Sequence, residues 1–475
     1  MDDAGIKESR VICENSQGLE ISGTIIHLNR HEVVFEVYSP IAVIQSSEVL
    51  RAFKIQLRDQ TAYSGRAVVN NVVHTEPKVV CAAALDEEDW ELQFSTADLQ
   101  APRIQALFKE HLREWQKLYL IRPEYKLQIA DMESFFAELR VWLDQVELGV
   151  RNAPSTNGKQ LENNVALELG ASVLQSVDAL FQKFESIAET VGPEARPVHR
   201  TYMHRHLHPL ILCAPFVHRT FTKPLGYAGD YEMVNMIARN SPEGESLYAK
   251  VVNLCFVRQP PAAAHRNRLQ YLTQRVVEET ARVASQGNIA RIFSLACGPA
   301  VELQDFLREH ELSNRAELTL LDFNEETLEH VLAAFTSLKS KLSRRTPVQV
   351  IKRSVHQLLK ESVRSAARPG GGQQYDFVYC AGLFDYLTDA VCQRLMTLLY
   401  DWVAPGGLLL ATNVEPSTNP VRVGTEILLD WHLICRKGPQ LQRLRPTQVA
   451  AEDFLIRSDM TGVNLFMEAR KPRNG

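Results

Sequence analysis

Long apolar runs are absent from this sequence of 475 residues. A membrane-spanning helix needs about 18 or more consecutive apolar residues, and no stretch approaches that length. The opening residues, MDDAGIKESR, are acidic and polar, which does not fit a signal peptide. We therefore expect a cytoplasmic protein without a transmembrane segment.

Paired metal-ligand and disulfide motifs are missing as well. None of the 8 cysteines forms a CxxC pair, and most stand in apolar segments, which is typical of buried, reduced thiols. No HExxH sequence occurs, so this zinc-site motif is absent. The formal net charge of -5 argues against a general nucleic-acid binder.

The hydrophobic pattern changes character twice along the chain. Short alternating stretches over 10–95 predict a small antiparallel barrel, and apolar residues at three- and four-residue spacing predict helices from about Thr96. After the QPPAAA break at 259–264, strand and helix patterns alternate, which predicts a doubly wound parallel sheet whose last strand is antiparallel. The predicted domains are 1–98 (barrel), 99–260 (helical, with a lid segment at 199–235) and 261–475 (α/β, Rossmann-like).

Glycine is scarce where a nucleotide loop is expected. Residues 294–302, SLACGPAVE, join a strand to a helix with a single glycine, whereas a dinucleotide loop reads GxGxxG so that backbone amides approach the pyrophosphate. Pro299 removes one such amide. S-adenosylmethionine carries no phosphate, and Glu302 suits its cationic groups. The loop therefore favours this cofactor over NAD, and an NAD-dependent oxidoreductase is the weaker alternative.

An acidic residue ends the second strand of the α/β region. Asp322 follows the loop by roughly 20 residues, the separation at which ribose hydroxyls are commonly held in such sheets. Phe323 is placed to lie against an adenine ring. The loop and this strand end together predict a cofactor site at the carboxyl edge of the sheet.

Five motifs in order make 260–475 resemble the class I S-adenosylmethionine-dependent methyltransferases. They are SLACGPAVE, LLDFN, IKRSVHQL, YDFVYCAGLFDYLTD and WVAPGGLLLATN. The resemblance implies a seven-stranded sheet, S-adenosylmethionine as cofactor and S-adenosylhomocysteine as product. It also implies cofactor contacts from Ala296, Cys297, Gly298, Pro299, Glu302, Asp322, Phe323, Asn324, Ser354, Val355, Cys380, Ala381 and Gly382. Ala296 stands where many members have glycine, which is expected to tighten the loop.

A narrower resemblance rests on KPLGYAGDYEMV together with SLACGPAVE and GLFDYL. This combination is similar to the bacterial family of 3-hydroxypalmitic acid methyl ester biosynthesis proteins. It implies methylation of the carboxylate of a small or fatty acid to a methyl ester. The alternatives are a hydroxyl or amine acceptor and a regulatory protein that binds the cofactor without turnover.

The segment 199–235 is rich in histidine and aromatic residues. We expect it to act as a lid, although Asp230 also fits the N-cap of the helix that follows. The candidate catalytic residues are Tyr227, Asp230, Asp385 and Tyr386, and the candidate contacts to an anionic acceptor are His206, His218, Arg219, Lys223 and Tyr231. His204 and His208 have a spacing that zinc sites use, but helix packing or a pocket lining is favoured and no metal is expected.

The N-terminal barrel resembles the PilZ-type fold. Its two nucleotide motifs, RxxxR and (D/N)xSxxG, are absent, so binding of cyclic di-GMP is not expected. A role in packing or homodimerisation is predicted instead.

Overall fold

The N-terminal part of the chain is a closed antiparallel β-barrel with strand order β1-β2-β3-β6-β5-β4. The computed structural model describes 9–38, 44–57, 60–75, 78–90, 104–105, 108–109, 112–113, 121–152, 158–364 and 374–473. The barrel strands are β1 (Ser9–Glu14), β2 (Glu20–Leu28), β3 (Glu32–Tyr38), β4 (Val49–Leu57), β5 (Gln60–Thr75) and β6 (Lys78–Leu85).

The barrel core is formed by every second side chain of the strands, because these side chains point into the barrel. Phe35, Phe53 and Tyr63 point inward and are fully buried, because successive residues of a strand face opposite sides. The predicted small barrel is confirmed. The strand that the sequence pattern missed is β1, SRVICE, in which the consecutive apolar residues Val11, Ile12 and Cys13 obscure the alternation.

Helices follow the barrel and pack around a second core, which includes Tyr125, Phe136 and Phe184. Part of the helix predicted before residue 121 lies outside the described residues. No helix in the described ranges is long and apolar enough to cross a membrane. The helices of this part are α1 (Pro123–Asn152), α2 (Gly158–Ala188), α3 (Arg196–Ile211), α4 (Pro215–Thr222), α5 (Tyr231–Arg239), α6 (Leu247–Val257) and α7 (Pro260–Ala284).

The C-terminal part is a seven-stranded sheet with helices between its strands. The strands are β7 (Ala290–Leu295), β8 (Ala316–Asp322), β9 (Val348–Lys352), β10 (Tyr375–Cys380), β11 (Val403–Val414), β12 (Phe454–Ser458) and β13 (Asn464–Arg470). The helices are α8 (Val301–Glu309), α9 (Glu325–Leu342), α10 (Val355–Arg364), α11 (Asp389–Trp402), α12 (Arg422–Leu429) and α13 (Gly438–Gln442).

The strand order, β12-β13-β11-β10-β7-β8-β9, confirms the predicted Rossmann-like sheet. The strands from β7 to β11 are parallel, and β13 runs antiparallel to both β11 and β12. The order reverses beside β7, and ligands bind at such a switch point. Leu295 pairs with Leu321 and with Cys380, so three loops leave the sheet at the same level.

One buried carboxylate joins the three parts of the chain. Asp430, which follows α12, accepts hydrogen bonds from Arg200 of α3 at 2.5 and 2.6 Å and from Arg66 of the barrel at 3.1 Å. These guanidinium groups hold the pKa of Asp430 well below its usual range. Removing one partner of such a buried pair leaves an uncompensated charge, so this junction strongly couples the barrel to the rest of the chain.

Candidate active site

A cavity of about 210 Å³ lies at the carboxyl ends of β7, β8 and β10. The structure brings most of the predicted site residues to its wall. These are Tyr227, Tyr231, Ala296, Cys297, Gly298, Pro299, Glu302, Asp322, Phe323, Val355, Ala381, Gly382, Asp385 and Tyr386.

The backbone of the loop after β7 is already hydrogen-bonded within the protein. The amide of Cys297 donates to Leu321 O at 3.1 Å, and that of Ala300 donates to Cys297 O at 3.0 Å. Gly298 N donates to the Asp322 carboxylate at 3.2 Å, and Pro299 has no amide hydrogen. Residues 297–300 therefore keep no free amide to hold a pyrophosphate, which a dinucleotide loop must do.

Two alanines of this loop adopt left-handed backbone conformations. Ala296 has a φ of 53° and Ala300 a φ of 50°, a region that favours glycine because a Cβ atom is crowded there. Ala296 thus adopts the left-handed backbone conformation that glycine usually occupies. The loop keeps its tight turn despite having a single glycine.

Asp322 is buried at the end of β8 and turned toward the loop. Its carboxylate accepts from Gly298 N and, at 3.0 Å, from Asn324 N. Burial raises the pKa of Asp322, and these amides oppose the shift. Each carboxylate oxygen has a second lone pair, so Asp322 retains acceptor capacity toward a ligand in the cavity.

Arg268 of α7 is a cavity residue that sequence reasoning missed. Its guanidinium hydrogen-bonds to His265 at 2.9 Å and, among the described residues, to no carboxylate. Desolvation by burial lowers the pKa of Arg268, and the charges of Asp385 and Glu302 oppose that shift. A signal was present in the sequence, since Arg268 stands on the apolar stripe of its helix beside Leu269 and Leu272. A buried guanidinium that faces a cavity is suited to an anionic group of a ligand.

Gly382 allows Arg268 to approach the end of β10. It has a φ of 80°, and a Cβ atom there would lie 3.0 Å from Arg268 Nη2. Any other residue would be strained and would push the guanidinium away. Glycine at this position thus preserves both the turn and the place of the arginine.

Glu302 adds a second acidic group on the wall. Tyr379, also missed from the sequence, donates its hydroxyl to Glu302 Oε1 at 2.6 Å, and burial raises the pKa of Glu302. Arg268 lies close enough to oppose that shift. An acid and a guanidinium side by side match the ammonium and carboxylate ends of an amino acid.

The four candidate catalytic residues occupy different environments. Tyr227 packs against Phe323 with ring centroids 5.0 Å apart, and Tyr386 accepts a hydrogen bond from Trp431 at 2.9 Å. Asp385 is buried on the wall and accepts from Asn413 and from Val414 N at 2.6 and 2.7 Å. These bonds orient Asp385 and use part of its acceptor capacity.

Asp230 does not line the cavity and takes the alternative role, as an N-cap. Its side chain accepts from Met233 N at 2.9 Å at the start of α5, and Arg219 donates to both of its carboxylate oxygens at 2.8 and 2.9 Å. Its carboxylate therefore accepts three hydrogen bonds from within the protein and does not reach the cavity. A catalytic role for Asp230 does not agree with this placement.

Apolar side chains surround the part of the cavity away from the loop. They come from the helical part and from α12 with the residue before it, and the larger ones are Phe181, Phe216, Met233, Ile237, Phe256, Val421 and Leu428. All are at most 7% exposed. The cavity thus joins a polar end to an apolar chamber.

Four predicted acceptor contacts lie outside the cavity. His206 pairs with Glu133 at 2.8 Å, His218 is exposed, and Arg219 is held by Asp230. Lys223 donates to Leu429 O at 3.0 Å. The prediction that these four bind an anionic acceptor does not agree with their positions, because spacing along the segment did not show which helix face turns inward.

Three predicted cofactor contacts also lie behind the wall. Asn324 caps α9 by accepting from Thr327 N at 2.9 Å, and the Ser354 hydroxyl accepts from Gln357 N at 3.2 Å before α10. Cys380 is buried within β10. In place of Ser354, its neighbours Arg353 and Val355 reach the cavity.

The paired histidines of α3 serve packing. His204 and His208 stack with centroids 3.9 Å apart, and their Nε2 atoms lie 2.6 and 2.8 Å from the carbonyl oxygens of Ile427 and Leu428. Burial lowers the pKa of both rings. Within the described ranges, no group of three His, Cys, Asp or Glu side chains is placed to hold a metal ion.

Lys223 predicts a pH dependence of stability. Burial lowers the pKa of Lys223 from 10.5 to about 7, and the positive charges of Arg66 and Arg200 add to this shift. The carboxylates of Asp430 and Asp86 oppose it. Between these values the unfolded chain binds the extra proton, so this group makes stability rise with pH. Lys223→Met is expected to lose that rise, and its stability relative to wild type should fall by up to about 1.4 kcal/mol per pH unit.

Urea unfolding at several values between about pH 7 and 10 checks this result. Burial lowers the pKa of His432 to about 4, so His432 stays neutral throughout that range. Lys183→Met is the control, because Lys183 is a surface residue paired with Asp131. Parallel curves for wild type and Lys223→Met would contradict the prediction.

Comparisons with known proteins find similar solved structures but no matching family model or curated protein. A possible exported protein from Bordetella parapertussis is 15% identical over 64% of this chain and 97% of its own, with a TM-score of 0.37. Magnesium protoporphyrin IX methyltransferase from Synechocystis PCC 6803, with bound S-adenosylhomocysteine, is 13% identical over 50% and 93%, with a TM-score of 0.32.

An O-methyltransferase family protein from Burkholderia thailandensis is 14% identical over 60% of this chain and 75% of its own, with a TM-score of 0.33. Identities this low carry no conclusion about activity, since one fold hosts many functions. The assignment of the sheet rests on its own strand order.

Proposed function

We propose that this protein transfers a methyl group from S-adenosylmethionine to the carboxylate of an acid with an apolar chain. The observation that carries the proposal is a single cavity with a polar end and an apolar end. Asp322, Glu302 and the guanidinium of Arg268 line the polar end. Phenylalanine and aliphatic side chains line the apolar end.

The polar end fits each part of the cofactor. Asp322 has lone pairs left for ribose hydroxyls, and Phe323 offers a ring face. Glu302 and Arg268 suit the ammonium and carboxylate of the methionyl group, where charge-assisted hydrogen bonds are the strong ones. NAD is disfavoured, because the amides of 297–300 are committed or missing.

An ionised carboxylate is the methyl acceptor that requires no general base from the residues of the cavity. Carboxylic acids are ionised at neutral pH, so no base is needed. Asp385 Oδ1 already accepts hydrogen bonds from Asn413 and Val414. When bound, S-adenosylmethionine supplies an activated methyl group. The walls of the cavity orient the acceptor and exclude water, which strengthens electrostatic interactions inside.

Transfer of a labelled methyl group to a panel of straight-chain carboxylic acids tests this function. We expect labelled products that mild base hydrolyses, because esters are base-labile and ethers are not. A parallel panel of alcohols and amines covers the alternative acceptors, and a base-stable product from that panel would indicate a hydroxyl or amine acceptor. Cofactor binding without transfer to any acceptor class would favour the regulatory alternative, and tight binding of NAD in place of S-adenosylmethionine would refute the proposal.

A further inference from the structure

The hydroxyl of Tyr386 is a donor without an acceptor in the part of the chain that the structure describes. Trp431 Nε1 lies 2.9 Å from Tyr386 Oη, and because an indole N–H can only donate, it occupies a lone pair of that oxygen. The O–H of Tyr386 is left to donate, and no described residue accepts it. Tyr386 is 8% exposed, and buried polar groups are almost always hydrogen-bonded. A ligand in the cavity is therefore expected to supply the acceptor.

This hydroxyl lies where the polar end of the cavity meets the apolar chamber. A Cβ atom at Gly229 would lie 3.0 Å from Tyr386 Oη and 3.9 Å from Met233 Cε, and Met233 belongs to the chamber. Burial raises the pKa of Tyr386, and Arg268 of the polar end lies close enough to oppose that shift. The missing side chain at Gly229, which also lines the cavity, keeps the space beside the hydroxyl open.

The barrel lies against this part of the site and contributes two side chains to the cavity wall, Gln17 and Gln45. Ser46 N donates to Tyr386 O at 3.2 Å. The hydroxyl of Ser47 donates to His432 O at 2.8 Å and accepts from His432 N, and His432 directly follows Trp431. The barrel therefore holds the backbone on both sides of the hydrogen bond between Trp431 and Tyr386.

We propose that the Tyr386 hydroxyl donates a hydrogen bond to the carboxylate of the methyl acceptor, and that Trp431 fixes the hydroxyl in this role. The inference rests on the proposed function and names the residue that recognises the acceptor. Trp431 is a positioning residue, because it acts on the acceptor through Tyr386. The chain of the acceptor then extends past Met233 into the apolar chamber.

A carboxylate matches this hydroxyl, because an ionised carboxylate only accepts hydrogen bonds. Burial and the charge of Asp385 raise the pKa of Tyr386, so the hydroxyl keeps its proton at neutral pH. Asp385 has the same charge as the acceptor, but Asn413 and Val414 donate to it and Arg268 lies near enough to offset its charge. One hydrogen bond to the acceptor leaves its second carboxylate oxygen free to take the methyl group.

Binding measurements on the full-length chain test the inference without relying on turnover. Tyr386→Phe removes the hydroxyl and keeps the ring, and Trp431→Phe removes the indole N–H and keeps an aromatic side chain. The probes are decanoate and decan-1-ol, titrated by calorimetry in the presence of S-adenosylhomocysteine. Titration with S-adenosylhomocysteine alone reports the cofactor end separately.

We expect Tyr386→Phe to bind decanoate about 10-fold more weakly, the loss of roughly one hydrogen bond to a charged group. Affinity for decan-1-ol should change much less, since hydrogen bonds between neutral groups contribute less, and that for S-adenosylhomocysteine should stay within about twofold. Tyr271→Phe is the control, because Tyr271 also donates to a carboxylate, that of Glu468, but does not line the cavity.

A double-mutant comparison separates positioning by Trp431 from simple packing. Trp431→Phe should weaken decanoate binding about fivefold in the wild-type chain and change it little in the Tyr386→Phe chain, because residues that act through one another are not additive. Trp90→Phe is the matched control, since its indole N–H donates to Arg30 O in the barrel and lies outside the cavity.

The outcomes separate the two proposals. Unchanged decanoate affinity in Tyr386→Phe overturns this inference alone, as does equal loss of decanoate and decan-1-ol binding. An equal effect of Trp431→Phe in both chains overturns its positioning role. A wild-type chain that does not bind S-adenosylhomocysteine, or that binds no straight-chain acid, refutes the proposed function and this inference with it. Thermal unfolding of each variant ensures that a loss of binding is not a loss of fold.

Discussion

Arg268→Met is expected to weaken the binding of S-adenosylmethionine roughly 10- to 100-fold. A hydrogen-bonded charge contributes about 1.5–3 kcal/mol, and Arg268 is the buried cation beside Glu302 and Gly382. Methionine keeps much of the length and removes the charge. Calorimetric titration with S-adenosylmethionine measures the effect.

Two further variants test whether the charge of Arg268 causes the loss of affinity. Arg268→Lys keeps the charge and loses the planar fork, so an intermediate affinity is expected. Arg275→Met is the control on the same helix, because Arg275 pairs with Glu278 and Glu468 and does not line the cavity. An affinity of Arg268→Met within twofold of wild type would show that the cofactor's carboxylate lies elsewhere.

Asp322→Asn is expected to reduce cofactor affinity about 100-fold, through two effects. It weakens two hydrogen bonds from ribose hydroxyls to a charged acceptor. It also places an amide N–H against a backbone donor, since Gly298 N and Asn324 N both donate to Asp322. Calorimetry with S-adenosylhomocysteine measures the sum of these effects.

The 2′-deoxy analogue of S-adenosylhomocysteine separates the two contributions. If Asp322 binds the ribose, the substitution should cost less for the analogue than for the natural compound. Asp376→Asn is the matched control, because this carboxylate also accepts a backbone amide, from Arg291, but at the amino end of β10. Equal losses for both compounds would mean that Asp322 acts only on the loop.

Local patterns were sufficient for most elements of this fold. Period-two alternation marks the barrel strands, and buried runs such as IARIFSLA mark the strands of the sheet, because side-chain direction repeats within a few residues. The proposed cofactor edge follows from Asp322 and Pro299, since parallel strands end at a common edge of the sheet.

Part of the cavity wall escaped prediction because it is assembled from distant segments. Gln17, Gln45 and Arg268 are separated by up to hundreds of residues, and no spacing links them. The histidines and cations of 199–235 looked like ligands of an anion, yet His206 and Arg219 are occupied by Glu133 and Asp230. Partners of this kind come from packing.

The sequence by itself thus determined a barrel, a set of helices, a Rossmann-like sheet and the loop that disfavours pyrophosphate. These depend on hydrophobic period and on the backbone chemistry of proline and glycine, which act within a few residues. Only the tertiary structure decided that Arg268 faces the cavity without a carboxylate partner among the described residues, and that the barrel contributes to the cavity wall. Both depend on how the three parts of the chain pack together.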